Sequence, residues 1–235
     1  MITAFEWFFE NFDERKIRTR KILTPHHQDF PIRYAGDDQS AYDTLAIVAG
    51  QMELDPASIH LTIYTDGHSH ISTGSPLGTK LYLQADPRET AAAGLYWGRE
   101  EDGKFHIWLE RRKLNTPENM VATLAHEIAH IKLLGEGRLE ENNERLTDLT
   151  TIAFGLGIFN ANAAFQFYRG FNSWGYSRMG YLNQMEWGFS LALLALIQGD
   201  PQPDWIKFLS SKNIQSDFKK SIQWLQHNPP PFINQ

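Results

Sequence analysis

The sequence predicts an α+β protein in which helices flank a small sheet. Apolar residues recur at helical spacing toward both ends of the chain, whereas alternation at every second residue is confined to residues 59–111. The chain has 235 residues, 42% of them apolar or aromatic, which is enough for one substantial core. We expect a helical region, residues 1–54, that packs on a central core, residues 55–160. A second helical region, residues 161–235, completes the same domain.

The composition excludes several classes of site and partner. The chain has no cysteine, which excludes disulfides, iron–sulfur clusters and thiol nucleophiles, so a metal must be held by histidine and carboxylate. A net charge of −6 without a dense basic stripe argues against nucleic-acid binding. The apolar stretches are too short to span a membrane, and the first residues do not resemble a signal peptide. We therefore expect a cytoplasmic protein without a membrane partner.

Two helices are predicted in the N-terminal region. Residues 1–22 carry four phenylalanines at helical spacing, which indicates an amphipathic helix that docks on the core. After a loop, residues 37–54 again place apolar side chains on one helical face. The residues of the two faces are Phe5, Phe8, Phe9 and Phe12, and Ala41, Leu45, Val48 and Met52.

Four strands are predicted in the central region. Residues 59–65 alternate apolar and polar side chains before a turn, and residues 80–84 form a short second strand. Residues 95–99 and 104–111 flank Asp102-Gly103, a dipeptide that favours a tight hairpin.

Four helices are predicted after the sheet. Pro117 suits the first position of a helix over residues 117–134, and Gly135 suits its end. A second helix covers residues 139–158. Residues 166–180, rich in glycine and aromatic residues, are predicted to form a loop; a role in bordering or covering the cleft stays open beside a purely structural one. Asn183 and Glu186 form a capping box for a helix that ends near residue 199, and a shorter helix covers residues 215–226.

The helix at residues 117–134 carries the motif His126-Glu127-Ile128-Ala129-His130. Residues four apart on a helix differ by about 40° in azimuth, so both imidazoles point to one side, one turn apart. Two nitrogens can then bind one Zn²⁺ ion. Glu127 lies about 100° round the helix from His126, where it can serve as general base toward an activated water.

A catalytic zinc site needs a third protein ligand and one open position. Glu144 on the following helix is the preferred ligand, because the glycines at 135 and 137 let that helix fold back on the motif. Glu136 and Glu140 remain alternatives. Asp148, four residues after Glu144, shares its face and can accept the second ring N–H of a ligating histidine.

The two motifs HEIAH and NERLTD resemble those of the gluzincin metallopeptidases, in which HExxH precedes a helix with Glu-x-x-x-Asp. The asparagine and the Thr-Asp ending are similar to the thermolysin-like second motif. The resemblance covers about residues 104–152. Because the two motifs lie closer together than in thermolysin, it indicates a compact version with a zincin-like fold.

The resemblance implies a role for each matching residue. His126, His130 and Glu144 bind zinc, Glu127 activates water, and Asp148 orients a histidine. We therefore expect a zinc-dependent metallopeptidase that acts on a peptide or protein substrate. Two alternatives stay open: a zincin-like protein with a structural zinc and no proteolysis, and a metal-free helical interaction module.

In zincins an edge strand before the active-site helix pairs with the substrate. Residues 104–111 are the candidate strand, with His106, Trp108 and Glu110 on one face; a half-buried hairpin strand without that role is the alternative. The residue that stabilises the oxyanion stays open among six candidates. These are Tyr168, Arg169, Tyr176, Arg178, Tyr181 and His227.

Four further histidines are predicted to be surface residues of loops rather than metal ligands. These are His26, His27, His68 and His70.

Overall fold

A computed structural model describes residues 1–65, 94–99, 102–164, 166–170, 173–177 and 181–233. Within these residues the protein is mixed α/β and mostly helical. The predicted strand at residues 80–84 and the residues His68 and His70 lie outside the described part of the chain. One cluster of buried apolar residues contains side chains from all three regions of the sequence, including Phe5, Leu124 and Leu225.

The prediction of one helix over residues 1–22 is wrong. The structure has two helices, α1 (Ile2–Asn11) and α2 (Glu14–Thr19). The break occurs because Asp13 accepts a hydrogen bond from the backbone N–H of Lys16 and so caps a new helix. The second predicted helix is confirmed as α3 (Asp38–Gln51), and all four residues of its predicted apolar face are buried.

The central strands are β1 (Ile59–Tyr64), β2 (Gly94–Arg99) and β3 (Phe105–Glu110). The predicted hairpin is confirmed, because β2 and β3 pair antiparallel. On its other side β3 pairs parallel with β1, so that the strand order is β1-β3-β2.

This order shows that the predicted edge strand is wrong, because both sides of the β3 backbone are already paired. The face that carries His106, Trp108 and Glu110 is also largely closed: His106 and Glu110 are buried. The imidazole of His106 stacks on His60 with ring centroids 4.7 Å apart, and Glu110 forms an ion pair with Arg112. These residues are far better suited to holding the sheet than to binding a substrate.

The metal motif lies in α4 (Pro117–His130), which continues into a π-helical turn, Ile131–Gly135. In that turn the N–H of Glu136 donates to the carbonyl of Ile131, five residues back. The chain then reverses through Gly137, whose φ is 71°. This reversal returns the chain to α4, as the sequence predicted.

The helix predicted over residues 139–158 is shorter in the structure. It is α5 (Glu144–Ala153), because Asn143 caps it by accepting the N–H of Leu146. Gly155, with φ at 79°, ends it, and α6 (Gly157–Ala163) follows. The late start of α5 makes Glu144 its first residue.

Residues 166–180 are not only a loop. They contain a second, two-stranded sheet, β4 (Gln166–Gly170) antiparallel to β5 (Ser173–Ser177). The last two helices are α7 (Gln184–Ile197), with the predicted capping box, and α8 (Lys212–His227), which starts earlier than predicted at a cap by Ser211. Among the described residues no helix combines the length and the apolar character needed to cross a membrane.

Candidate metal centre

Three side chains from α4 and α5 converge on one point. His126 and His130 lie one turn apart on α4, with ring centroids 4.9 Å apart and planes at 86°. The Glu144 Oε2 atom lies 3.2 Å from His126 Nε2 and 3.5 Å from His130 Nε2. Within the described part of the chain, this is the one group of three histidine, aspartate or glutamate residues whose possible ligand atoms all lie within 4.8 Å of one another. The group could therefore hold a metal ion.

The structure distinguishes Glu144 from the two alternative third ligands. Glu136 pairs instead with Lys132 and Arg138, and Glu140 is exposed on the connecting segment. Glu144 is oriented by Asn142, whose amide donates to Oε1 at 2.8 Å, while Oε2 faces the imidazoles. The predicted trio His126, His130 and Glu144 is thus brought together.

Asp148 occupies the position that the sequence predicted for it. Only 1% of its side chain is exposed, and its Oδ1 atom lies 3.2 Å from Nδ1 of His126. Its Oδ2 atom accepts the backbone N–H groups of Tyr181 at 2.6 Å and Leu182 at 3.1 Å. The carboxylate therefore holds His126 by Nδ1, which leaves Nε2 directed at Glu144.

Sequence reasoning missed the corresponding neighbour of His130. The hydroxyl Oγ1 of Thr147 lies 3.5 Å from His130 Nδ1, and both residues are buried. The signal was present in the sequence: Thr147 is three residues after Glu144, so that both share the helix face that looks at α4.

The residues present fit a metal ion. The Oε2 atom of Glu144 is buried and forms no hydrogen bond of acceptable geometry, although two imidazole nitrogens lie near it. Burying a carboxylate oxygen without such a partner is costly, and a cation between the three ligand atoms would remove that cost. Two imidazoles and one carboxylate suit a divalent transition metal.

The electrostatics of the metal-free chain also favour a positive charge at this site. Burial disfavours the charged form of His126, but Asp148, Glu144 and the charge of Glu127 outweigh burial and raise its pKa to about 10. Burial alone would raise the pKa of Glu144, yet its interactions with His126 and His130 hold that pKa well below the usual range. In the metal-free chain a proton on His126 thus supplies part of the positive charge that a bound metal ion would supply.

Glu127 is 5% exposed and follows His126 directly on α4. Its carboxylate is close enough for its charge to contribute to the raised pKa of His126. The carboxylate is therefore buried beside His126, as the sequence predicted for a general base. Solvent still reaches the group of His126, His130 and Glu144, because 20% of the His126 side chain and 26% of the Glu144 side chain are exposed.

Two of the six candidates for oxyanion stabilisation have described side chains. Tyr181 is held beside the group, because Asp148 accepts its backbone N–H. Burial, together with the charges of Glu144, Asp148 and Glu127, raises the pKa of its phenol, while 53% of the residue stays exposed. His227 instead bonds to the carbonyl of Gln223 at the end of α8. Of the others, Tyr168, Arg169 and Tyr176 lie in β4 and β5, and Arg178 falls outside the described residues.

The resemblance seen in the two motifs does not extend to a similarity along the whole chain. No protein-family model matches the sequence, and the comparisons with curated proteins and with solved structures returned no match either.

Proposed function

We propose that the protein is a zinc-dependent metallopeptidase with a gluzincin-like His-His-Glu site. The observation that carries the proposal is the convergence of the two Nε2 atoms of His126 and His130 with the buried Oε2 atom of Glu144. Three protein ligands with solvent access on one side are typical of catalytic rather than structural zinc sites.

Zinc is the metal that the ligand types favour. Two imidazoles and one carboxylate match catalytic zinc ligation, whereas calcium and magnesium prefer sites built from oxygen ligands. When bound, zinc supplies a Lewis acid that polarises the scissile carbonyl and increases the acidity of water.

The side chains of this protein supply the proton transfers. Glu127 accepts a proton from the attacking water and passes it to the departing amine. The phenol of Tyr181 is protonated at neutral pH, and burial together with the neighbouring carboxylates raises its pKa further, so that it can donate a hydrogen bond to the developing oxyanion.

The substrate is proposed to lie along β2 rather than β3. In the described sheet β2 has one neighbour, β3, and it packs against α4 and the π-helical turn. An extended peptide that pairs with the edge of β2 that has no partner within the described sheet would lie close to the helix that carries the proposed ligands.

Metal content and peptide cleavage of the wild type and of Glu127→Gln test the proposal together. The protein is purified without chelator, zinc is measured by mass spectrometry, and cleavage is followed on a mixed peptide library. We expect both proteins to bind one zinc, and Glu127→Gln to lose activity by roughly 10²–10⁴-fold, because its amide cannot accept the proton.

Glu118→Gln is the matched control, since it removes the same charge from an exposed position of the same helix. It should leave zinc content and cleavage unchanged, whereas His126→Ala should lose the metal. Wild type that stays metal-free after dialysis against zinc would contradict the proposal. Equal cleavage by wild type and Glu127→Gln would exclude Glu127 as the base.

A further inference from the structure

We propose that Thr147 is a positioning residue that selects the metal-binding tautomer of His130. The inference depends on the metal group of the proposed function, but not on peptide cleavage. Its basis is that the hydroxyl of Thr147 faces Nδ1 of His130, whereas Nε2 of the same ring faces Glu144.

The hydroxyl is placed to act as an acceptor toward His130. Its single hydrogen is donated to the carbonyl of Asn143, at 3.0 Å, one turn earlier on α5. The remaining lone pairs face His130 Nδ1 at 3.5 Å. A favourable contact at that distance requires the hydrogen to be on Nδ1.

The tautomer determines which nitrogen can bind a metal. A neutral imidazole carries one N–H, so a hydrogen on Nδ1 leaves a lone pair on Nε2. Nε2 is the His130 atom that lies 3.5 Å from Glu144 Oε2, in the group of ligand atoms. By keeping the hydrogen on Nδ1, Thr147 therefore leaves Nε2 as the nitrogen that is available to the metal.

A neutral hydroxyl suits this position better than a second carboxylate. Asp148 already holds His126 with a full negative charge, and Glu144 and Glu127 add two more nearby. Another carboxylate would add repulsion within a largely buried group. Thr147 selects the tautomer of His130 without adding charge.

Zinc affinity of Thr147→Val and Thr147→Ser tests the proposal, measured with zinc alone in competition with a chromogenic chelator. Valine keeps the shape but loses the acceptor, so we expect about tenfold to hundredfold weaker binding, the usual effect of losing such a partner. Serine keeps the hydroxyl and should bind zinc nearly as tightly as wild type.

Thr150→Val is the matched control. Thr150 is also buried on α5, and its hydroxyl makes the same kind of bond, to the carbonyl of Leu146 at 2.8 Å. Both valine variants should unfold at similar temperatures without metal, but only Thr147→Val should lose zinc affinity. A merely structural role for Thr147 would predict equal behaviour of the two variants.

The imidazole nitrogen shifts of His130 provide a second readout, which does not depend on whether Thr147→Val folds. Wild type should carry a hydrogen on Nδ1 both without metal and with zinc bound, whereas any hydrogen on Nε2 should be lost when zinc binds. A bare Nδ1 in wild type, or wild-type zinc affinity in Thr147→Val, would overturn the inference. A wild type that binds zinc but cleaves no peptide would contradict the peptidase proposal alone.

Discussion

Asp148 connects two parts of the protein through one carboxylate. One oxygen faces His126 in the ligand group, and the other binds the N–H groups of Tyr181 and Leu182 just before α7. Its burial makes each of these contacts stronger than it would be in water. The residue that orients His126 thus also fixes the segment that carries Tyr181, the proposed oxyanion donor.

The raised pKa of His126 predicts that zinc binding releases a proton at neutral pH. In the metal-free protein this imidazole has a pKa of about 10, above its unfolded value of 6.5. Its charge therefore stabilises the metal-free fold fully below pH 6.5, and this contribution is lost as the pH rises through 10. Because zinc needs the neutral ring, zinc affinity should increase from pH 7 to pH 9.

Calorimetry in buffers of different ionisation enthalpy measures this release. At pH 8 wild type should release about one proton per zinc bound, since His126 is almost fully protonated at that pH. Asp148→Asn removes the neighbouring charge that helps raise the pKa and should release fewer protons. A zinc affinity that does not change with pH would show that His126 is already neutral in the metal-free protein.

At the scale of elements, the contact between α7 and α8 depends on Gly188. A Cβ atom at this position would lie 2.7 Å from Asp217 Cβ and 2.9 Å from the backbone nitrogen of Phe218. We expect Gly188→Ala to lower the free energy of unfolding by about 1–3 kcal/mol, because the helices must move apart.

Gly50→Ala on α3 is the control for helix propensity, since a Cβ atom there would meet nothing within 4 Å. It should raise the free energy of unfolding by roughly 0.5–1 kcal/mol. Urea unfolding of both variants checks the pair. Equal effects of the two substitutions would show that the helix contact tolerates a methyl group.

Elements with strong local signals were predicted well. The capping box of Asn183 and Glu186 and the Asp102-Gly103 hairpin each depend on residues close in sequence. The break at Asp13 was missed because the helical spacing of the phenylalanines continues to Phe12, one residue beyond the end of α1 and directly before Asp13. The hairpin β4–β5 was missed because glycines interrupt its alternating pattern.

The position of β3 could not be derived from local signals at all. Its parallel partner β1 lies far away in the sequence, and the alternation of β3 is the same at the edge or in the centre of a sheet. The ligand group was predictable because helical spacing determines which side chains of α4 and α5 face each other. Thr147 was visible in the same pattern, but its role depends on which way its hydroxyl donates.

For the whole molecule, metal removal should lower thermal stability. A ligand that binds only the folded state, at a free concentration of about 100 times its Kd, stabilises that state by about 2.7 kcal/mol. For a chain of this length, this corresponds to roughly 5–10 °C in Tm. Differential scanning calorimetry with zinc and with excess chelator measures the difference.

Glu144→Gln should lose most of the difference in Tm between zinc and chelator, because an amide is a much weaker metal ligand than a carboxylate. Glu118→Gln should keep that difference in Tm. Identical melting of wild type with and without chelator would indicate that no metal binds the folded state. The Tm of the chelated protein also measures the stability of the metal-free fold.

The parallel pairing of β1 with β3 also affects how the chain closes on itself. Ile59 meets Phe105 only after a long stretch of chain has been looped, and that loop costs entropy before any backbone bond between the strands compensates it. His126 and Asp148 are 22 positions apart, and their helices meet through one short reversal. Loop-closure entropy therefore opposes formation of the sheet more than formation of the His126, His130 and Glu144 group, so that the helices with the proposed metal ligands come together at a lower entropic cost.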